Sequence, residues 1–353
     1  MLAGKSCASG ASEVKRAGPP CLLTPDSGPA VDAGDSDHHH ALRAVLHEPL
    51  APAWAMIALP EAVRLQMAAV GAVWGADIQK HRDIVIGAYS PLLAQSPKAG
   101  VAVEREVSYG EHPRQRLDVY RPQSAVAAPV VIFVHGGAFV RGDRRVNDEI
   151  HANVLTYFAR NGCLGINMEY RLAPEAAFPA GARDVAAAVE WAGGHAAGLG
   201  GDPGQIFLIG HSAGATHVAT YACDPNAGVE PSGGVRAIVL LSGRLRADAR
   251  PDNPNAAGVR AYFGADESLY EERSPVSWAA RCTLPVMIAI AEFENPLLDV
   301  YGAEFFWKLA AARGKAPRFL RLRGHNHISM VAHVNTAEDL LGREILDFMA
   351  TLR

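Results

Sequence analysis

A serine set between glycines stands at Gly210-His211-Ser212-Ala213-Gly214, directly after the apolar run 206–209 and ahead of a helical stretch. A G-x-S-x-G at a strand-to-helix junction is a nucleophile elbow. The turn is so tight that residues two before and two after the serine must be small. Gly210 and Gly214 meet that demand, and Ala213 and Ala215 add further small side chains. Such a turn lifts Ser212 Oγ above the carboxyl edge of a sheet, beside a helix N-terminus that favours negative charge. The chemistry on offer is nucleophilic attack on a carbonyl. The bland alternative is a glycine turn with an incidental serine, and the strand before and helix after weigh against it.

Attack on a carbonyl creates an oxyanion, which needs donors. His135-Gly136-Gly137-Ala138 follows the β-branched run 129–134. Small residues there let the backbone approach a substrate closely. The amides of Gly137 and Ala138 are the expected donors, joined by Ala213 after the serine, while Gly136 shapes the turn or substitutes for one of them. A dinucleotide reading fails because no G-x-G-x-x-G spacing is present. His135 reads as a hydrogen-bonding loop residue rather than a base.

A serine also needs a histidine to take its proton, and that histidine a carboxylate to hold its tautomer. The run 285–291 leads into Glu292-Phe293-Glu294-Asn295-Pro296, where Glu294 is the expected acid, with Asp299 and Glu292 as alternatives. The run 318–322 leads into Gly324-His325-Asn326-His327, where His327 is the expected base and His325 the runner-up. The H-x-H pair, with His333 beyond it, could instead hold a metal. No other ligand stands nearby in sequence, so neither metal nor organic cofactor is expected. Serine, acid and histidine fall in the one chain order that this elbow uses, with room for βα units between them.

Those loops need a scaffold. After residue 100, strand-like runs at 101–109, 115–120, 129–134, 164–170, 205–210, 236–241, 285–291 and 318–322 alternate with helical stretches. The helices are expected at 149–161, 181–195, 213–223, 298–313 and 336–352. That rhythm predicts a mainly parallel α/β sheet over 101–353. Before it, Leu59, Val63, Met67, Val70, Trp74 and Ile78 recur at helical spacing over 60–78, and a second helical piece runs over 84–93. Segment 51–100 is read as a helical cap over a pocket, the alternative being helices packed on the core. Residues 1–50, rich in Gly, Ala, Ser, Pro and Asp, read as a disordered leader. Its Asp37-His38-His39-His40 reads as a solvated tract rather than a metal site.

Composition excludes several classes. The chain has 353 residues, 49% hydrophobic and 20% charged, with 33 Lys plus Arg against 37 Asp plus Glu. Without a basic excess, nucleic acid is not an expected partner. The longest apolar stretch, 67–76, is too short to cross a bilayer. No continuous apolar segment follows Lys5, so a secretory signal is not expected. Five cysteines without a C-x-x-C pair fit a reducing, cytoplasmic compartment.

With these residues assembled, the sequence resembles the α/β-hydrolase superfamily. Within it the chain is similar to the hormone-sensitive-lipase-like and feruloyl-esterase- or kynurenine-formamidase-like carboxylesterases. The likeness spans about residues 101–350. It is carried by 117–122 (LDVYRP), 135–143 (HGGAFVRGD), 170–175 (YRLAPE) with Phe178-Pro179-Ala180, 210–214 and the two late loops. It implies an eight-stranded, mostly parallel sheet flanked by helices, with an N-terminal helical cap. It also implies a serine carboxylic-ester hydrolase that takes small, short-to-medium acyl esters through an acyl-enzyme. An arylformamidase-type amide hydrolase and a catalytically silent small-molecule binder are the alternatives. Ala138 and His211 depart from the lipase-like H-G-G-G and G-D-S-A-G, and Glu294-Asn295-Pro296-Leu297 departs from its D-P-L acid loop. Tyr170, Arg171 and Asp184 are expected to support the elbow through buried hydrogen bonds, and Gly142-Asp143 to shape a turn. Phe139, Trp74 and Met67 could line an acyl pocket or simply pack.

Overall fold

The strand at Ala128–Val134 decides the layering. In the computed structural model, which describes residues 59–352, its Val130, Ile132 and Val134 enter one core while Val131 and Phe133 enter another. A strand apolar on both faces must be covered by helices on both sides.

The strands are β1 (Val101–Ser108), β2 (Arg116–Pro122), β3 (Ala128–Val134), β4 (Leu164–Met168), β5 (Gly201–His211), β6 (Val235–Leu241), β7 (Val286–Phe293) and β8 (Arg318–Asn326). They form one sheet of eight strands in the order β1-β2-β4-β3-β5-β6-β7-β8. β2 is antiparallel to both of its neighbours, and every other pairing is parallel. The helices are α1 (Glu61–Ala72), α2 (Ile78–Ala94), α3 (Ala152–Arg160), α4 (Ala180–His195), α5 (Ala213–Cys223), α6 (Ala256–Phe263), α7 (Tyr270–Arg273), α8 (Leu298–Arg313), α9 (Ser329–Ala332) and α10 (Leu340–Ala350). Val185 of α4, Val218 of α5 and Phe305 of α8 fill one face of the sheet, and Leu155 of α3 and Ile345 of α10 the other. This is the α/β-hydrolase fold.

The topology dictates where chemistry can occur. From β3 the chain builds β4 on one side and then crosses to build β5 on the other. The loops leaving β3 and β5 therefore part at the carboxyl edge, a switch point where α/β sheets bind ligands.

The expected helix over 60–78 is broken. α1 stops at Ala72, a 3-10 turn follows at Trp74–Ala76, and Asp77 caps α2 by accepting from the Lys80 amide at 3.1 Å. That cap starts α2 six residues ahead of the expected 84. Met67, Val70 and Trp74 pack with Val85, Tyr89 and Leu93 of α2 and with Ile150 and Ala332. At the other end, helix begins only at Leu340 instead of 336, because the chain first turns so that the Leu341 amide donates to His333 Nε2 at 3.2 Å. α6 and α7 were not expected, although Val259, Tyr262 and Phe263 carry helical spacing and join Phe139 in a small aromatic core. The expected leader 1–50 and its Asp37-His38-His39-His40 tract lie outside the described residues. Among the described residues no helix is long and apolar enough to cross a membrane.

Candidate active site

Ser212 joins β5 to α5 with φ 56° and ψ −118°, a strained conformation for a residue with a side chain. Its neighbours hold it there. Its amide donates to Leu241 O at 2.9 Å. Gly214 lies so close to the β3 backbone that a Cβ there would sit 2.0 Å from Val134 O, which is why the residue must be glycine.

His327, at the end of β8, is fixed through its main chain. Its amide donates to Phe293 O at 3.1 Å, and His211 Nε2 donates to its carbonyl at 2.9 Å. Burial holds the His211 imidazole well below its usual range, so this prop brings no charge to the site. The His327 ring then bridges the elbow and the acid loop. Nε2 lies 3.0 Å from Ser212 Oγ and Nδ1 lies 2.9 Å from Glu294 Oε2. Glu294 is itself pinned, since its Oε1 accepts from the Ala291 amide at 2.8 Å and from the Ser242 hydroxyl. The His327 and Glu294 side chains are only 5% and 3% exposed, so the pair sits in a low-dielectric setting.

The loop 135–138 crosses beside Ser212. Ala138 and Phe139 take φ of 50° and 71°, curling the chain so that Arg141 N reaches Gly137 O at 3.1 Å. A Cβ on Gly137 would fall 1.7 Å from Arg141 O, so only glycine fits. Ala213, at the first position of α5, has an amide without an intrahelical acceptor. Beneath the loop, His135 Nε2 lies 2.7 Å from Glu169 Oε1 and Nδ1 lies 2.7 Å from Gly136 O, while Tyr170 donates to His135 O at 3.0 Å. Burial pushes the Glu169 carboxyl up, but His135, the Arg144 amide and Arg114 outweigh it and hold the group at about 2. Arg171 pairs with buried Asp184 at 2.7 Å, which also accepts from Gln115 at 2.9 Å.

The structure thus brings Ser212, His327 and Glu294 into one hydrogen-bonded run and separates them from the alternatives. Glu292 accepts from the Gly324 amide at 2.7 Å and faces Arg321, and Asp299 is exposed in the first turn of α8. His325 turns to Ser329 at 3.2 Å and Glu338 at 3.6 Å. Among the described residues no group of three or more His, Cys, Asp or Glu side chains is arranged to hold a metal. Phe139 and Trp74, offered as pocket walls, are buried elsewhere. Phe139 stacks on Tyr262 with ring centroids 4.7 Å apart, and Trp74 donates from Nε1 to Asn295 Oδ1 at 3.0 Å. Trp74 therefore contacts the loop that carries Glu294 and does not line the cavity over Ser212. Sequence reasoning missed Ser242, Asn295 and the Glu169 pair. Only Ser242 carried a usable signal, as a polar residue one step past β6 on the carboxyl edge.

A cavity of about 230 Å³ opens over Ser212 and His327. Gly136, Gly137 and Ala138 line it, and so do Ile78, Arg82 and Ile86 of α2. A larger cleft of about 1000 Å³, along residues 246–251, is lined by none of Ser212, Glu294 or His327.

The chain is similar to several known proteins. The family model BD-FAE matches residues 117–230. Esterase LipC of Mycobacterium tuberculosis is 29% identical over 241 residues, covering 63% of this chain and 59% of LipC. Isoprenylcysteine alpha-carbonyl methylesterase ICME of Arabidopsis thaliana is 33% identical over 214 residues, covering 57% of this chain and 48% of ICME. The chain thus spans about half the length of these relatives. Among solved structures, Esterase B from Lactobacillus rhamnosis superposes with a TM-score of 0.65 at 20% identity, covering 83% of this chain and 96% of that one.

Proposed function

We propose that this chain, an α/β-hydrolase by fold, is a serine carboxylic-ester hydrolase of the hormone-sensitive-lipase-like branch, acting on small esters with short-to-medium acyl groups. One observation carries the reading: the run Ser212–His327–Glu294, hydrogen-bonded at 3.0 and 2.9 Å beside an amide-bearing glycine loop. Its likeness to proteins named esterases supports the choice of ester as substrate. The cavity of about 230 Å³ favours a small acyl group, since it lies below the usual range for drug-sized ligands.

In this mechanism Ser212 Oγ attacks the ester carbonyl while His327 Nε2 takes its proton, and Glu294 stabilises the resulting imidazolium. The oxyanion accepts hydrogen bonds from the amides of Gly137, Ala138 and Ala213, with Gly136 giving the loop its shape. One such donor contributes about 2.7–4 kcal/mol to transition-state stabilisation. His327 then protonates the leaving alcohol. Water, deprotonated by the same nitrogen, attacks the acyl-enzyme and releases the acid with Ser212 restored. Side chains and main-chain amides supply every step, so the scheme needs no cofactor. A cytoplasmic setting belongs to the same proposal, supported by an odd count of five cysteines without a C-x-x-C pair.

Hydrolysis of p-nitrophenyl acetate, p-nitrophenyl butyrate and N-formylkynurenine, with fluorophosphonate labelling, tests the reading. The expected result is ester turnover, labelling at Ser212, and a fall in kcat of roughly 10⁵–10⁶ in Ser212→Ala. Dominant turnover of N-formylkynurenine would replace ester by formamide as substrate. Undiminished turnover in Ser212→Ala would overturn the mechanism, and failure to label or hydrolyse would favour a silent binding protein.

A further inference from the structure

The cavity over Ser212 is electrostatically one-sided. Its charged lining side chains are Arg82 and Arg141, and no Asp or Glu lines it. The remaining lining is apolar or neutral, including Ile78, Ile86, Ile150 and Val331. His151 and His211, which also line it, add no cation. Burial pushes the His151 imidazole down to about 3 and holds that of His211 well below its usual range.

Neither guanidinium is neutralised in a way that would hide it. Arg141 donates from Nη2 to the Asn255 amide oxygen at 3.0 Å, an uncharged partner. Arg82 pairs at 2.9 Å with Asp83, its neighbour in the chain, in a contact with side chains 36% and 61% exposed. Solvent screens such a pair strongly. The nearest acid along the Arg141 loop, Asp143, is exposed and accepts from the Arg145 amide at 2.8 Å. Arg141 is also held in place: its amide donates to Gly137 O at 3.1 Å, and its carbonyl packs on Gly137. Its side chain therefore starts from the oxyanion loop itself. A guanidinium presents a planar fork of donors that matches a carboxylate in two parallel hydrogen bonds.

We infer that this site selects esters that carry a second, free carboxylate, which Arg141 binds with help from Arg82 while Ser212 attacks the ester carbonyl. The inference rests on the hydrolase reading of Ser212 and deepens it by naming the substrate class. The carboxylate could sit on the acyl or the alcohol side, and two matched substrate pairs separate these sources. Mono-4-nitrophenyl glutarate against 4-nitrophenyl pentanoate tests the acyl side. 4-Acetoxybenzoate against its methyl ester tests the alcohol side.

With the full chain at low ionic strength, kcat/KM for one anionic substrate should exceed that of its neutral partner by roughly tenfold, the scale of a charge-assisted pair. That ratio should shrink as salt is raised. It should also fall about tenfold in Arg141→Gln and less in Arg82→Gln. The ratio is the readout because Arg141 adjoins the oxyanion loop, and its replacement can slow all esters alike. Neutral preference in both pairs, or an unchanged ratio in Arg141→Gln and in the double variant, would overturn the inference. If the wild type hydrolyses none of the four, the hydrolase reading fails by itself. Calorimetric titration with 4-acetoxybenzoate then decides the anion site alone: binding lost in Arg141→Gln supports it, and no binding to the wild type overturns it.

Discussion

Among the described residues, two histidine–carboxylate pairs have both side chains buried, and one of these ends on a serine hydroxyl. His327 lies 2.9 Å from Glu294, and His135 lies 2.7 Å from Glu169. The difference is at the second ring nitrogen. In His327 it faces the Ser212 hydroxyl at 3.0 Å, a group that can donate as well as accept. In His135 it faces the Gly136 carbonyl at 2.7 Å, which can only accept. Both ring nitrogens of His135 are thus held by protein oxygens, and neither faces a hydroxyl that could act as a nucleophile. The first pair can act as a relay and the second as a strut that holds the oxyanion loop. A His–carboxylate contact alone does not identify a base; the partner of the far nitrogen does.

The sharpest way to break this contrast is to neutralise each carboxylate in turn. In Glu294→Gln the amide oxygen must take the Oε1 position, because the Ala291 amide and the Ser242 hydroxyl both donate there. The amide nitrogen then points at His327 Nδ1 and forces that atom to accept. Nε2 becomes protonated and cannot take the proton of Ser212. The expected loss is about 10⁴ in kcat, the size seen when a serine hydrolase is held in the wrong tautomer. The thermal midpoint should change little. Steady-state kinetics on p-nitrophenyl butyrate together with a melting curve measure both. A kcat within tenfold of wild type would remove Glu294 from the relay.

Glu169→Gln should give the opposite balance. Every group around Glu169 donates: His135 Nε2 and Arg114 at Oε1, the Arg144 amide at Oε2. An amide NH₂ placed on either side meets a donor, so no rotamer satisfies the site. Because Glu169 is held at about 2 against an ordinary 4.5, its stabilisation is fully present above pH 4.5 and is lost as pH falls toward 2. At neutral pH that shift corresponds to about 3 kcal/mol. Denaturant unfolding at pH 7 should show a loss of this order in Glu169→Gln. The wild type should lose the same increment between pH 4.5 and 2, while the variant should not. A fall in kcat as deep as that of Glu294→Gln, with an unchanged unfolding midpoint, would mean that Glu169 belongs to the chemistry and that the contrast is false.

The comparison also shows what a single sequence can reveal. α5 and α8 run over the residues expected of them, because each combines helical periodicity with a strong signal at its start, the elbow for one and Pro296 for the other. Each of the eight strands overlaps the run expected of it, β3 most plainly, since a Val/Ile/Phe stretch buried on both faces has few other uses. That Ser212, Glu294 and His327 would meet was legible, Ser212 because its motif is local and the other two because chain order narrows the search to two loops. Ser242, 52 residues from Glu294, and Trp74, 221 residues from Asn295, were not. Ser242 has only its place one step past β6 to mark it and Trp74 only its helical spacing, and their partners appear once the sheet brings distant segments together. The broken helix at Val73 was hidden for the same reason: periodicity continues through Trp74, and what stops the helix is a tertiary hydrogen bond and the cap at Asp77.

Trp74 gives the mildest test, and it concerns how far the relay extends into its supports. The indole is buried, and its Nε1–H satisfies Asn295, the residue that follows the acid. Trp74→Phe keeps an aromatic ring in the α1–α2 core but leaves the Asn295 carbonyl oxygen without that donor, which costs about 1–3 kcal/mol. In a chain of this size that corresponds to about 1–2 °C in Tm for each kcal/mol. A brace acts on the acid loop and not on the acyl group. The rate profile across p-nitrophenyl acetate, butyrate and hexanoate should therefore keep its shape while all rates fall together by a small factor. If instead the profile moves toward longer chains with Tm unchanged, the space vacated by the indole is open to substrate. Trp74 would then be a pocket wall, and the supports of the acid loop would end at Ser242.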